Sequence, residues 1–401
     1  MARGAPWVVA ALLAAMCADA QVAAPQWESW RGGPQNAGAR ACPTPEGEVH
    51  WTADLGAWIF ATPVIDAHGV VYAGSYAGEV CALDGATGKR RWTIACGAPI
   101  VGSLALANGV VIAVSRDGAV HGVGADDGTA LWKKAADGEN IGSPVIGPDG
   151  RVYLARHGGL VRLEAATGDE RVICAEVSAG AAVAFSPDGR AVYARGDGVV
   201  AIDLRSGEVR WRAGLPGDSQ SPPVVSRTGD IYVSGSVSSS ASYLAAVDGR
   251  SGRVRWRLPL VGRFVSAPLA LRADGALIVV TNAALPQEQA GWDPAKDLSP
   301  ENPRGRIRSG GDAELLCVSA RSGTVRWRAA VTGPVHSGPV VTADGTILFG
   351  TALGRFLAVD GRTGERKWTV RAGLSVDGSP ALAESGAVVF GSYDGKVYRV
   401  R

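Results

Sequence analysis

The chain has 401 residues, 55 of them glycine and 22 proline. Glycine is about twice as common as usual, yet 46% of residues are apolar, which excludes a disordered Gly/Pro polymer; a helix bundle is excluded too, since glycine costs about 1 kcal/mol per helix-interior site. Forty Lys+Arg against 38 Asp+Glu leave a net charge of +2, without the clustered surplus of a nucleic-acid binder.

At the N-terminus, Arg3 precedes an apolar run from Trp7 to Met16, and Ala18, Asp19 and Ala20 follow as a small-x-small site. This is the pattern of a secretory signal over residues 1–20. The run is too short to span a bilayer, which takes about 20 residues, and no later stretch qualifies. The mature chain is expected to start near Gln21 and to act in the periplasm or outside the cell. Lipid attachment at Cys17 is the alternative, although Met16 is large for the residue before a lipidated cysteine. Cys42, Cys81, Cys96, Cys174 and Cys317 follow. They show no paired metal-ligand spacing and read as packing residues, with any disulfide pairing left open.

Residues 21–46 form a lead-in, WESWRGGPQNAG at its centre. Beyond it one phrase recurs: LDGATGKRRW (83–92), VGADDGTALW (123–132), LEAATGDERV (163–172), IDLRSGEVRW (202–211), VDGRSGRVRW (247–256), VSARSGTVRW (318–327) and VDGRTGERKW (359–368). The phrases end at Trp92, Trp132, Val172, Trp211, Trp256, Trp327 and Trp368, a period near 40 with one long interval between Trp256 and Trp327. Such a period marks a propeller or another repeat array. Each unit holds four strand-like pieces: a short run such as TPVI or SPVI, a β-branched run such as VVYAGS, a third such as EVCALD, and the Trp strand after a TG or SG turn. Four antiparallel strands per unit make a propeller blade.

The ends fix the number of blades. Trp51 lies one period before Trp92 and brings a fourth strand without the other three. The last unit, SPAL through KVYRVR, has three strands and no fourth. Pairing the two closes the ring and removes the open sheet edges. The expectation is an all-β, eight-bladed propeller over residues 47–401, closed by the N-terminal strand and monomeric.

The phrase of strand, A-L-D, TG turn and Trp resembles the repeat of pyrroloquinoline-quinone-type propellers, over residues 47–401. The lead-in is similar to the W-x-x-x-R-x-x-x-x-x-x-G segment before many such exported propellers. The repeat tryptophans (Trp51, Trp92, Trp132, Trp211, Trp256, Trp327, Trp368) read as wedges between blades, and the turn aspartates (Asp84, Asp203, Asp248, Asp360) as hydrogen-bond acceptors. Quinone dehydrogenases of this fold carry adjacent cysteines, a Trp floor, a Ca²⁺ site and an Asp base. Here no two cysteines adjoin, so no catalytic residue is carried over, and neither quinone nor Ca²⁺ is expected as cofactor. In length and export the chain resembles the outer-membrane assembly propellers of the BamB family. That resemblance implies a protein-interaction scaffold with a partner among outer-membrane assembly components. A quinoprotein-like enzyme, or a ligand- or glycan-binding propeller, is the alternative.

Function should reside where units depart from the repeat. The largest departure is an insertion in the sixth unit, 281–312, with Trp292, Arg304, Arg306 and Arg308. Loops joining second to third strands share a face with loops joining blade to blade, so the insertion should overhang one channel mouth. Residues assigned to that face are Trp58, Phe60, Asn140, Arg263, Phe264, His336 and Asp377, with Val101, Ile141, Asp218 and Val265 nearby. His336 and Asp377 come from neighbouring units and are a candidate acid–base pair. His50, His68, His121 and His157 are scattered and make no metal cluster.

Overall fold

The computed structural model describes residues 27–135, 138, 142–156, 158–177, 183–196, 198–219, 221–238, 241–283 and 311–401. The expected signal segment, Asn140, Ile141, His157, Trp292, Arg304, Arg306 and Arg308 lie outside the described residues. Among those described, no helix is long and apolar enough to cross a membrane.

The chain is all-β. Six four-stranded antiparallel sheets and one ten-stranded sheet account for eight blades. Blade 1 runs Val64–Ile65, Val71–Gly74, Glu79–Leu83, Arg90–Ala95, and the next three repeat that order. Blades 5 and 6 form the ten-stranded sheet because a short strand, Arg263–Phe264, pairs with Asn282 and Ala283 on one side and Ala241 on the other. Blade 8 closes the ring: Val49–Asp54 lies antiparallel on Lys396–Val400, with Trp51 opposite Arg399.

Each repeat Trp joins its blade to the next. A Cβ on Gly128 would stand 2.7 Å from the Trp92 ring, so the left-handed glycine of the following turn (φ 75) is a seat for the indole. The Trp92 Nε1–H donates to Ala125 O of that same turn at 2.9 Å. Trp51, Trp132, Trp211, Trp256 and Trp327 make the matching bond to Gly85, Ala165, Gly249, Ala320 and Gly361. Trp368 donates to Pro45 O and stacks on Gly47, so the end of the lead-in plays the turn's part for blade 8. The residue before each of these tryptophans is the extra residue of a β-bulge. Blade 3, with Val172 at the Trp position, departs from this pattern. There the register shift moves past Val172 to Ile173, whose carbonyl faces Gly207, and Val172 is left 56% exposed. Without an indole to seat, nothing fixes the bulge in its usual place.

The turn aspartates accept turn hydrogen bonds as expected. Asp84 takes bonds from Arg91 and Thr87, Asp203 from Ser206 and Arg210, and Asp248 from Ser251 and Arg255. These bonds bring all three carboxyls down to about 2, led by Arg91 for Asp84 and by the backbone N–H of Ser206 and Ser251 for the others. A depressed folded-state pKa means the stabilisation is complete above the unfolded value near ~4 and is lost as pH falls through about 2. The urea midpoint should therefore drop between pH 4 and pH 2. The Asp84→Asn, Asp203→Asn, Asp248→Asn triple variant should show a flatter profile, and an unchanged slope would rule these carboxylates out as its source.

The five cysteines described are all buried and free. Burial pushes Cys42 and Cys96 up to about 11 and Cys81 up to about 12, so these thiols stay protonated and inert near neutrality.

The lead-in is part of the ring. First strands of neighbouring blades touch one another and form the channel wall. The segment from Trp27 onward bonds to this wall blade by blade. Trp27 pairs with Ile65 of blade 1, and Glu28 O accepts from Leu106 of blade 2. Trp30 packs with the apolar cluster of blades 3 and 4. Pro34 O, Gln35 O, Ala37 O and Gly38 O then accept from Phe185, Val225, Leu271 and Val341 of blades 4, 5, 6 and 7. These six wall residues occupy equivalent strand positions, each the second residue of its first strand. The lead-in thus follows the first strands of the ring from blade 1 to blade 7.

Candidate functional site

The mouth is built from two loop sets bonded to each other. In blades 1, 2, 7 and 8 the second residue of the second-to-third turn donates its amide to a blade-to-blade loop: Tyr76 to Trp58 O, Arg116 to Pro99 O, Ala352 to Pro334 O and Tyr393 to Ser375 O, all 2.8–2.9 Å. The two sets do share a face.

An aromatic cluster sits where blades 8 and 1 meet. Trp58 stacks on Tyr393 with centroids 5.6 Å apart and planes 13° apart, and Tyr76 leans on Trp58 at 5.3 Å. Phe60 leans on Tyr393 at 6.2 Å and is 41% exposed. Arg116 Nη1 donates to the Tyr76 hydroxyl at 3.0 Å. Asp377 accepts from Ser375 Oγ at 2.6 Å and is hydrogen-bonded to Tyr393. Burial first, and then the Asp377 charge, hold the Tyr393 hydroxyl well above its usual pKa, so it stays a neutral donor. The result is a rigid, half-buried aromatic shelf with an apolar edge at Phe60. Leu353, on the corresponding turn of blade 7, is 48% exposed on the same face.

A second, polar cluster lies at the root of the insertion. Thr281, Asn282 and Ala283 belong to the second strand of blade 6, Ala276–Ala283, so the excursion starts later than the sequence expectation placed it. Asn282, fully buried, donates to Ser266 Oγ at 2.7 Å and to Val335 O at 2.8 Å, and its Oδ1 accepts from Val335 N. His336 Nδ1 lies 3.2 Å from Ser266 Oγ. Arg263 reaches Asp312 O at 3.3 Å and lies 3.6 Å from Glu314, which also pairs with Arg328. Phe264 is half-buried in the strand that pairs with Asn282.

The residues assigned to the mouth therefore divide. Trp58, Phe60 and Asp377 share the aromatic shelf, while Arg263, Phe264 and His336 brace the base of the insertion. His336 and Asp377 are not an acid–base pair: one engages Ser266, the other Ser375 and Tyr393. Tyr76 and Tyr393 were absent from the sequence assignment, although SYAG and SYDG repeat the same phrase in adjacent blades. Among the described residues no three His, Cys, Asp or Glu side chains converge, and Asp377, at the mouth, is already engaged by two hydroxyls.

In sequence, the family model described as outer membrane protein assembly factor BamB matches residues 36–175, 170–257, 195–288 and 242–401. No curated protein matches the chain. Among solved structures it is similar to the quinohemoprotein alcohol dehydrogenase of Comamonas testosteroni, at 15% identity and a TM-score of 0.71, over 94% of this chain and 80% of that one. A europium-containing methanol dehydrogenase is similar at 17% identity and 0.66, over 92% and 90%. BamB from Moraxella catarrhalis aligns at 16% identity and 0.45, over 91% and 96%. At these identities the likenesses to the two dehydrogenases speak to the fold alone.

Proposed function

The chain belongs to the family described as outer membrane protein assembly factor BamB, and from that membership we propose an exported, non-catalytic scaffold that binds a protein through the channel mouth. Export follows removal of residues 1–20, with anchoring at Cys17 as the other route to the envelope. The partner belongs to envelope or outer-membrane protein assembly.

The observation that carries the reading is the shelf of Trp58, Tyr76 and Tyr393 with Phe60 at its exposed edge. Aromatic side chains held rigid in this way are efficient anchors for protein contacts, since little conformational freedom is left to lose on binding. The polar cluster beneath the insertion supports it in the same way, fixing the strand ends from which 284–310 departs.

The test separates scaffold from enzyme. Replacing 284–310 by a short Gly/Ser link, which keeps the Asn282–Ala313 pair, should leave melting within about 2 °C and weaken partner retention from the envelope fraction. Full retention would remove the insertion from the interface. Titration with pyrroloquinoline quinone and Ca²⁺ should give neither heat nor an absorbance shift, and stoichiometric binding would favour the enzyme reading.

A further inference from the structure

The turns between third and fourth strands all lie at the end opposite the mouth, and one of their positions divides the ring in two. It is the residue after the carbonyl that receives the indole N–H. Blades 5, 6 and 7 place Arg250, Arg321 and Arg362 there, after Gly249, Ala320 and Gly361. Blade 4 places Arg205 at the same point of its phrase. Blades 1, 2 and 3 have Ala86, Asp126 and Ala166 instead, and Glu46 follows Pro45 at blade 8. Four consecutive blades are basic at this position and the other four are not.

The arc stands on fixed turns and carries spare charge. The backbone N–H groups of Arg205, Arg250 and Arg362 donate to Asp203, Asp248 and Asp360 at 2.8–3.0 Å. All four arginines are exposed, and their guanidinium groups make no hydrogen bond or ion pair among the described residues. Carboxylates in the same blades are taken by other arginines: Asp203 by Arg210, Asp248 by Arg255, and Asp274 by Arg272 and Arg326. The phrases of blades 4–7 (202–211, 247–256, 318–327, 359–368) hold ten basic and five acidic residues. Those of blades 1–3 (83–92, 123–132, 163–172), with 44–51 at blade 8, hold four and eight. The surplus of positive charge is therefore confined to one half of one end.

Each Arg occupies the same point of the same turn, so the four stand at one level along the rim. Long, unpaired side chains at one level suit a plane of mobile negative charges better than a partner with carboxylates at fixed places. The acidic half of the same end makes a second copy of this chain the competing occupant. The chain enters the ring at this end, however, where Trp27 pairs with Ile65 beside the turn Asp66–Gly69. A face-to-face pair would have to close over both points of entry.

We infer that the arc of Arg205, Arg250, Arg321 and Arg362 is a docking surface for an anionic lipid bilayer, with blades 4–7 turned to the headgroups. The mouth faces away and stays free, so the surface does not depend on what docks there. Each Arg near such a bilayer raises partitioning by about fivefold, and salt screens the attraction.

The test is sedimentation of residues 21–401 with vesicles of equal parts phosphatidylglycerol and phosphatidylcholine, against phosphatidylcholine alone. The protein should pellet with the first and not the second, and salt at about 0.5 M should release it. Arg250→Ser/Arg321→Ser should partition on the order of twentyfold less. Lys133→Ser/Arg371→Ser removes the same charge from exposed sites toward the mouth and should lose far less. No pelleting with the anionic vesicles, or equal losses in the two double variants, would overturn the surface. Should Arg250→Ser/Arg321→Ser not fold, Ala166→Arg extends the arc into blade 3 and must strengthen binding by about fivefold; no gain is equally fatal. Sedimentation equilibrium without vesicles should show a monomer at every salt concentration. A salt-sensitive dimer, lost in Arg250→Ser/Arg321→Ser, would give the arc to a second copy and overturn the bilayer.

Discussion

A chain that starts at residue 47, where the repeats begin, should fail to form a stable ring. The lead-in it lacks carries Trp27, 1% exposed, and Trp30, 8% exposed, and closes the inner wall of six blades through main-chain bonds. Losing a buried Trp costs about 3–5 kcal/mol, and a whole domain is held by only about 5–15 kcal/mol. Residues 47–401 should show no cooperative urea transition where 21–401 shows one. A milder change reports on the same segment. Asn36 Nδ2 bridges blades 4 and 5 through Val183 O at 2.8 Å and Pro223 O at 3.2 Å. Asn36→Ala leaves two buried carbonyls short of a donor and should cost about 2–4 kcal/mol. If 47–401 unfolds at the wild-type midpoint, the lead-in does not hold the ring.

The second large effect is expected at the closure. Val397 and Val400 are fully buried in the third strand of blade 8, between Val388–Gly391 and Val49–Asp54. Val397→Asp places an unpaired carboxylate in the one sheet that joins the two ends of the chain, and the loss should match or exceed about 4 kcal/mol. Arg401, one residue beyond, makes an exposed pair with Glu48. Such pairs contribute little, so Arg401→Ala should stay within about 0.5 kcal/mol of wild type. Equal losses in the two variants would mean that closure does not depend on the buried strand.

The ring was legible because its determinants are local. A turn glycine, a bulge residue and, in all units but the one ending at Val172, a Trp recur within ten residues, so each unit carries its own turn and its own wedge. Trp51 in an incomplete first unit and KVYRVR in an incomplete last one were enough to foresee the closure. The course of the lead-in was not legible. WESWRGGPQNAG has no alternating pattern, and its partners are main-chain groups spread from Ile65 to Val341. Trp27, Arg31 and Gly38 stood out by spacing, but only the ring shows that Gly38 makes room for Arg31. The aromatic shelf was legible only in part. Loop order places Trp58 and Phe60 at the mouth, whereas the contact of Trp58 with Tyr393 joins opposite ends of the chain. The slide of the blade 3 bulge also escaped notice, since a Val in place of a Trp reads as a lapse in the phrase, not as a shift in register.

The central claim is that a protein docks on the mouth. It is tested most directly by photo-cross-linking from single positions in the native envelope fraction. A photoreactive residue at Phe60 or Leu353 reports on the mouth; one at Arg227, in an exposed turn between the first and second strands of blade 5, reports on the opposite end. The account predicts one common protein adduct from Phe60 and Leu353, absent from Arg227. An adduct from Arg227 alone, or none from either mouth position, would contradict it.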